Sequence, residues 1–150
     1  MADYAGAMTA IEQRLQASWT ETPVSFENEA APAVIGPDGT LQPWVYCEIL
    51  TLRDRIRSVG RPGDHVNVLD GTISLTLFVR RDSGRETARS LASQLAEIFR
   101  TQVFYQMAPG VYIRTWTPEI GPGNPAKSEN PSGSWWAISI QTPFEFFHRA

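Results

Sequence analysis

The sequence predicts one α+β domain over residues 1–150, with a mainly antiparallel β-sheet and two amphipathic helices packed on one face. Three observations lead there. Tyr4, Met8, Ile11, Leu15 and Trp19 recur at steps of four and three residues, the apolar stripe of a helix. Ala88, Leu91, Ala92, Leu95, Ile98 and Phe99 make a second such stripe, with Arg85, Arg89, Ser93, Glu97 and Arg100 opposite. Between and after the stripes lie apolar runs of strand character, so the order is helix, strands, helix, strands. At 150 residues the chain has the size of one domain. It can bury about two-thirds of its unfolded surface, and so folds without disulfide or metal.

The elements follow in order. The first helix is placed at 3–19, with Asp3 suiting the helix dipole and Pro23 barring continuation. Residues 20–43 carry four prolines and read as an extended, turn-rich passage, with a short strand at Val24–Phe26 and a turn at Gly36–Gly39. Trp44–Leu52 is aromatic and β-branched, hence a strand. Gly71–Arg80 is another, because Ile73, Leu75, Leu77 and Val79 alternate with Thr72, Ser74, Thr76 and Phe78. Gly60–Asp64 marks the turn between them. Ser83 and Glu86 have the spacing of a capping box, which starts a second helix over 84–100. Val103–Met107 and Val111–Thr117 are strands joined around Pro109 and Gly110. Residues 118–133 hold four prolines and three glycines and read as a long exposed loop. Ser134–Phe147 closes as a strand interrupted by Pro143, which implies an edge or a bulge because proline has no N–H to donate.

Composition narrows the function classes. The chain is 42% hydrophobic and 19% charged, with no apolar run long enough to span a bilayer. Its opening residues have neither the basic start nor the apolar stretch of a signal peptide, so no secretory leader is expected. One cysteine, Cys47, excludes an intramolecular disulfide and suits a reducing compartment. A secreted disulfide scaffold, a membrane protein and a long coiled coil are excluded. An enzyme, a binding module and an assembly subunit remain. Charge is unevenly placed: residues 1–48 carry −6, residues 49–114 carry +4 and residues 115–150 carry −1. Such blocks are either solvated faces or unlike surfaces of neighbouring copies that meet head to tail.

Residues of chemical character do not assemble into a catalytic motif. His65 lies in a loop and His148 near the C-terminus, without partners at metal-ligand spacing, and both are expected at the surface. Cys47 falls mid-strand and reads as a small buried hydrophobe. The strand–turn–helix over Phe78–Ala88 lacks a phosphate-loop or repeated-glycine signature, and Gly121-Pro122-Gly123 places proline where a backbone donor is wanted. No Gly-x-Ser-x-Gly occurs. No enzyme activity, metal or cofactor is expected. Arg53, Arg55 and Arg57 alternate, which in an extended chain sends all three to one side. Arg80, Arg81, Arg85 and Arg89 gather at the start of the second helix. Arginine suits phosphate, but a net acidic chain lacks the field of a dedicated DNA binder, so ion pairs with protein partners are the better use.

In combination these segments resemble the tail-terminator-like proteins of tailed bacteriophages and prophages. Ile11–Trp19 followed by Thr22–Asn28 looks like the N-terminal half of that family. Pro43–Val45 leading into a strand, then Phe78-Val79 with the turn Asp82–Gly84 and an alanine-rich helix ending Ile98–Arg100, resemble its next segments. Trp136–Phe144 resembles its final strand. The likeness covers nearly the whole length and rests on the order of loose structural motifs. The loop at 118–133 is a departure from a minimal member.

The resemblance implies a non-enzymatic virion protein, made in the bacterial host cytoplasm. It would form a ring of like subunits, a hexamer, at the head-proximal end of the tail. Such a ring caps the tube protein, stops its polymerisation and offers a docking surface to the head-side connector, while DNA passes through the lumen without sequence-specific binding. A head-to-tail contact that closes gives a ring, and one that does not gives a filament. Residues expected at subunit or partner contacts are Arg53, Arg55, Arg57 and Arg61, opposite Glu21, Glu27 and Glu29 of an adjacent copy. Arg80 and Arg81 join them, as do Pro122, Gly123, Asn124 and Lys127 of the loop. A sheet edge is expected to extend a neighbour's sheet by strand addition. The competing readings are another neck or connector subunit and, from a different class, a small ligand-binding domain or enzyme.

Overall fold

In the computed structural model, which describes residues 3–30, 39–125 and 135–149, two helices and a single curled sheet alternate along the chain. The elements are α1 (Tyr4–Ser18), β1 (Val24–Phe26), β2 (Trp44–Ile56), β3 (Val66–Arg80), α2 (Glu86–Glu97), β4 (Val103–Ala108), β5 (Val111–Thr115), β6 (Glu119–Ile120), β7 (Asn124–Pro125) and β8 (Trp135–Arg149). The strand order is β1-β2-β3-β8-β5-β4, and β6 and β7 pair with β8 ahead of its β5 partners. The fold is α+β, as expected, but the sheet is mixed. β1 runs parallel to β2, and the other pairs are antiparallel. Parallel neighbours need a crossover rather than a tight turn, and residues 27–43 supply its length.

Alternation along β3 creates the two faces of the sheet. Ile73, Leu75, Leu77 and Val79 are buried, while Thr72, Ser74, Thr76 and Phe78 are half-buried on the far side. The buried row joins Val45 and Cys47 of β2, Ile113 of β5, and Ile138, Ile140, Phe144 and Phe146 of β8. Both helices close over this face with Ala7, Ile11 and Leu15 of α1 and Ala88, Ala92, Leu95 and Ala96 of α2. Burial of each large aliphatic or aromatic side chain contributes about 1.5–3 kcal/mol.

The first helix crosses the whole sheet. Asp3 caps it, its Oδ1 accepting from Gly6 N at 3.0 Å, and its Oδ2 accepts from the Tyr105 hydroxyl on β4 at 2.5 Å. At the other end Trp19 Nε1 donates to Thr22 Oγ1 at 2.8 Å, and the chain enters β1. β4 and β1 are opposite edges of the main ladder. Fifteen helical residues span about 22 Å, close to the roughly 24 Å between the first and sixth strands.

Several boundaries differ from expectation, each for a physical reason. β2 and β3 are longer than the predicted Trp44–Leu52 and Gly71–Arg80. They run on, paired with each other and with β3 still flanked by β8, toward the Gly60–Asp64 turn, where Asp64 N donates to the Arg61 carbonyl and Gly63 has φ +89. Periodicity conceals that extension because residues 51–57 are exposed and carry no buried face. The capping box does not form. Ser83 Oγ donates to the Arg80 carbonyl at 2.6 Å, closing the turn before α2, and Arg85 occupies the N-cap without a side-chain bond. β5 ends at Thr115, since Trp116 N turns to the Pro143 carbonyl at 2.9 Å. Pro143 sits in an internal strand, flanked by β3 on one side and by β6 and then β5 on the other. Because its carbonyl faces Trp116, its nitrogen faces the same side, at the point where β8 changes partner from β6 to β5. No ladder bond is lost there, so neither an edge nor a bulge is required. The predicted loop at 118–133 is partly sheet, with Glu119–Ile120 and Asn124–Pro125 on β8. Its residues 126–133 lie outside the described residues, as do residues 36–38 of the predicted Gly36–Gly39 turn.

Candidate functional site

A concavity lies where β3 hands over to α2. The tight turn after Arg80 and a left-handed Gly84 (φ +91) redirect the chain, so that α2 leans back over the sheet. Opposite α2, residues 120–123 run along β8, held by Gly121 N donating to the Ser139 carbonyl at 2.8 Å. The indole of Trp136 packs against Gly123 so closely that no side chain fits at that position. Between α2 and this segment is a cleft of about 670 Å³. Its floor is apolar, made by Ala88, Ala92, Ile120, Trp136 and Ile138, and its rim carries Arg80, Arg85 and Arg89. These three arginines are exposed and form no ion pair among the described residues. Asp82 is the carboxylate on the same rim. An apolar floor bordered by three arginines suits an anionic group carried on an apolar body.

Of the expected contact residues, Arg80, Pro122 and Gly123 meet at this cleft, and Arg81 is exposed beside it. Asn124 is exposed in β7, opposite Ala137. Lys127 lies outside the described residues. The alternating arginines project from the hairpin. Arg55 pairs with Asp70 at 3.2 Å and Arg57 with Glu145 at 3.3 Å, so two of the four guanidinium groups already have partners within the chain. Arg53 and Arg61 are exposed. Glu145 also accepts from Trp116 Nε1 at 2.9 Å, and Arg114 lies 4.1 Å over the Trp116 ring. Sequence reasoning missed this network, because pairing Arg57 with Glu145 requires knowing that β3 separates their strands.

The expected acidic partners sit at the far edge of the sheet. Glu27 and Glu29 follow β1, and Glu27 Oε1 accepts from Ile49 N at 2.5 Å. Glu12 on α1 faces them. Partial burial, then repulsion from Glu27 and Glu29, raises its pKa above the usual carboxylate value. Glu21 is exposed in the turn before β1. The strand register links this patch to the cleft, because Phe26, Cys47, Leu75, Ile140 and Ile120 stand side by side across five strands. Glu27 directly follows the first of them and Gly121 the last. Patch and cleft therefore lie at opposite edges of the sheet, about 19 Å apart across the strands, with the arginine rim displaced along them because Arg80 stands opposite Trp135, five residues from the Leu75–Ile140 pair.

The hairpin beyond the helices presents a different surface. A bulge at Leu52 shifts the β2–β3 register between Thr51 and Arg53. Leu52 is 75% exposed, Ile56 64% and Val59 fully exposed. Across from β3, residues 50–56 of β2 have no strand neighbour among the described residues. An apolar edge of this kind is a template for another chain.

Groups with reactive chemistry are held in restrained settings. Cys47 is buried, and desolvation first, then Glu12, Glu27 and Glu48, push its thiol up to about 12. His148, expected at the surface, is 3% exposed. It sits on the helix-side face against Phe146, with Nε2 at 3.0 Å from both carboxylate oxygens of Asp54. His65 is half-buried, its Nδ1 3.2 Å from the Ser58 carbonyl. Among the described residues no three His, Cys, Asp or Glu side chains gather where they would hold a metal, and no helix is long and apolar enough to cross a membrane.

Comparison with known proteins bears on the fold. No protein-family profile and no curated protein matches the chain. A solved structure known by a sequence identifier is similar over 97% of this chain and 96% of its own, with a TM-score of 0.64 and 14% identity. At that identity the likeness shows a shared fold and nothing finer.

Proposed function

We propose that this chain is a structural virion subunit. It closes into a ring, a hexamer, that caps the tail tube of a phage or prophage particle, ends tube polymerisation and presents a docking surface to the head-side connector. The observation that carries this reading is the hairpin with Leu52, Ile56 and Val59 bare to solvent beside a strand edge that has no neighbour among the described residues. Large apolar side chains on a free edge are costly unless a partner covers them. A tube end and a neighbouring subunit are such partners. The order of the resembling segments, from Ile11–Trp19 to Trp136–Phe144, adds the identity of the assembly. The subunit acts by shape and charge, with no reaction chemistry and no cofactor, and DNA passes through the ring without base readout.

Electron microscopy of the protein mixed with purified tail tubes tests the proposal. Density at one tube end, together with arrested elongation, is the expected result. Binding to capsid portals instead of tubes would make the chain a neck subunit. Particles assembled without the protein are expected to carry overlong, headless tails, and tails of normal length joined to filled heads would overturn the reading.

A further inference from the structure

Two surfaces of this molecule are incomplete in complementary ways. At one edge of the sheet Glu12 on α1 stands near Glu27 and Glu29 beyond β1, and none of the three forms an ion pair among the described residues. At the other edge Arg80, Arg85 and Arg89 ring an apolar cleft and likewise lack a partner among the described residues. We infer that this cleft receives the carboxylate patch of a second copy, making the head-to-tail contact between neighbouring subunits. The inference rests on the ring reading above and specifies its interface.

Charge selects the mode of association. Patch against patch and cleft against cleft are like-charged, so a two-fold pairing through either surface is opposed. Patch against cleft joins unlike charges and uses two different surfaces, which is the condition for a heterologous contact that propagates around a ring. The register puts the two surfaces at opposite edges of the sheet and staggers them along the strands, since Glu27 is bonded at Ile49 while Arg80 stands opposite Trp135, so each added copy is offset from the last. Arginine rather than lysine on the rim favours paired hydrogen bonds to carboxylates. The floor of Trp136 and Ile138 supplies apolar area that excludes water from those bonds. The contact leaves the hairpin uncovered, free for the tube.

Reciprocal charge reversal tests the contact. The variants are Arg85→Glu with Arg89→Glu, and Glu12→Arg with Glu29→Arg, which spares the Glu27 bond to Ile49. Association is measured by sedimentation velocity, and by counting copies bound at tube ends. An acid at the N-cap of α2 suits the helix dipole, so the first variant keeps its fold. Arg85→Ala with Arg89→Ala repeats the test should circular dichroism show otherwise. Each double variant alone is expected to associate about tenfold or more weakly than the wild type, and raising salt from about 50 to about 500 mM weakens the wild type. An equimolar mixture of the two reversed variants is expected to recover association, because every patch then meets an opposite cleft. If both variants assemble like the wild type and mixing adds nothing, this contact is wrong while the ring stands. A wild type that neither associates nor binds tube ends removes the ring and the contact together. A monomer whose melting temperature rises with an oligo-glutamate peptide would assign the cleft to another protein and overturn the second-copy occupant.

Discussion

Cys47 shows how a single position converts burial into a pH dependence. Its thiol is held near 12 against an ordinary value of 9.0, so the folded chain keeps a proton that the unfolded chain releases. The stability from that difference is complete below about pH 9 and is lost as pH rises toward 12. At about pH 10.5 the loss amounts to about 2 kcal/mol. Urea midpoints measured from pH 8 upward are expected to fall, and Cys47→Ala to flatten the fall; equal slopes in both proteins would refute the assignment. Iodoacetamide is expected to label Cys47 only on unfolding. Gly71 makes a second residue-scale case. A Cβ there would lie 2.5 Å from Phe144 Cε1 and 2.6 Å from the Leu50 carbonyl oxygen. The backbone cannot retreat, so Gly71→Ala is expected to cost about 1–3 kcal/mol in urea unfolding. Neither effect was legible in the sequence, where Gly71 reads only as the start of an alternating run and Cys47 only as a hydrophobe.

At the scale of elements, legibility followed burial. The two helices and the alternation from Ile73 to Val79 were legible, because one face of each element meets the core, although in α1 the buried face is Ala7, Ile11 and Leu15 while Tyr4 is 49% exposed and Met8 half-buried. The β2–β3 hairpin was not, because neither face of residues 51–57 is buried, and nothing forces an apolar/polar period on them. That same exposure makes a prediction. Leu52→Lys, Ile56→Lys and Val59→Lys are each expected to leave folding stability within about 0.5 kcal/mol and to reduce binding to tube ends. Unchanged tube binding in all three would take the hairpin out of the interface. The entry to α2 carries another. Gly84 holds φ +91 with open space around it, so Gly84→Ala is expected to cost about 1–2 kcal/mol through backbone strain alone, read by thermal or urea denaturation. Loss of a capping box at Ser83 was not foreseen, because the hydroxyl had a nearer acceptor in the Arg80 carbonyl.

For the whole molecule, the division of charge acquires a geometry. The acidic first third supplies the patch beside β1, and the arginine-rich middle supplies both the hairpin and the cleft rim. Arg55 and Arg57, the natural candidates for contacts with another copy, are neutralised within the chain by Asp70 and Glu145. The Arg80, Arg85 and Arg89 cluster, which in the sequence lies at a helix start like many others, is left without ion-pair partners among the described residues. The proposed contact through that cluster is expected to weaken with salt, while Arg57→Ala, which opens an intramolecular pair whose guanidinium is half exposed, is expected to change folding stability by about 1 kcal/mol or less. A loss of ring assembly in Arg57→Ala without loss of fold would return the hairpin arginines to the interface.

The sequence by itself determined the α+β class, the two helices, most strands and the turns at Gly60–Asp64 and Pro109-Gly110. These depend on local periodicity and on the backbone limits of glycine and proline, and both are written residue by residue. Tertiary structure alone decided which charges are spent and which remain. It also decided that Pro143 lies in an internal strand, that β1 runs parallel to β2, and that patch and cleft lie at opposite edges of the sheet. Those outcomes depend on strand register, which joins residues such as Phe26 and Ile120 through three intervening strands, and no local pattern encodes a distance of that kind.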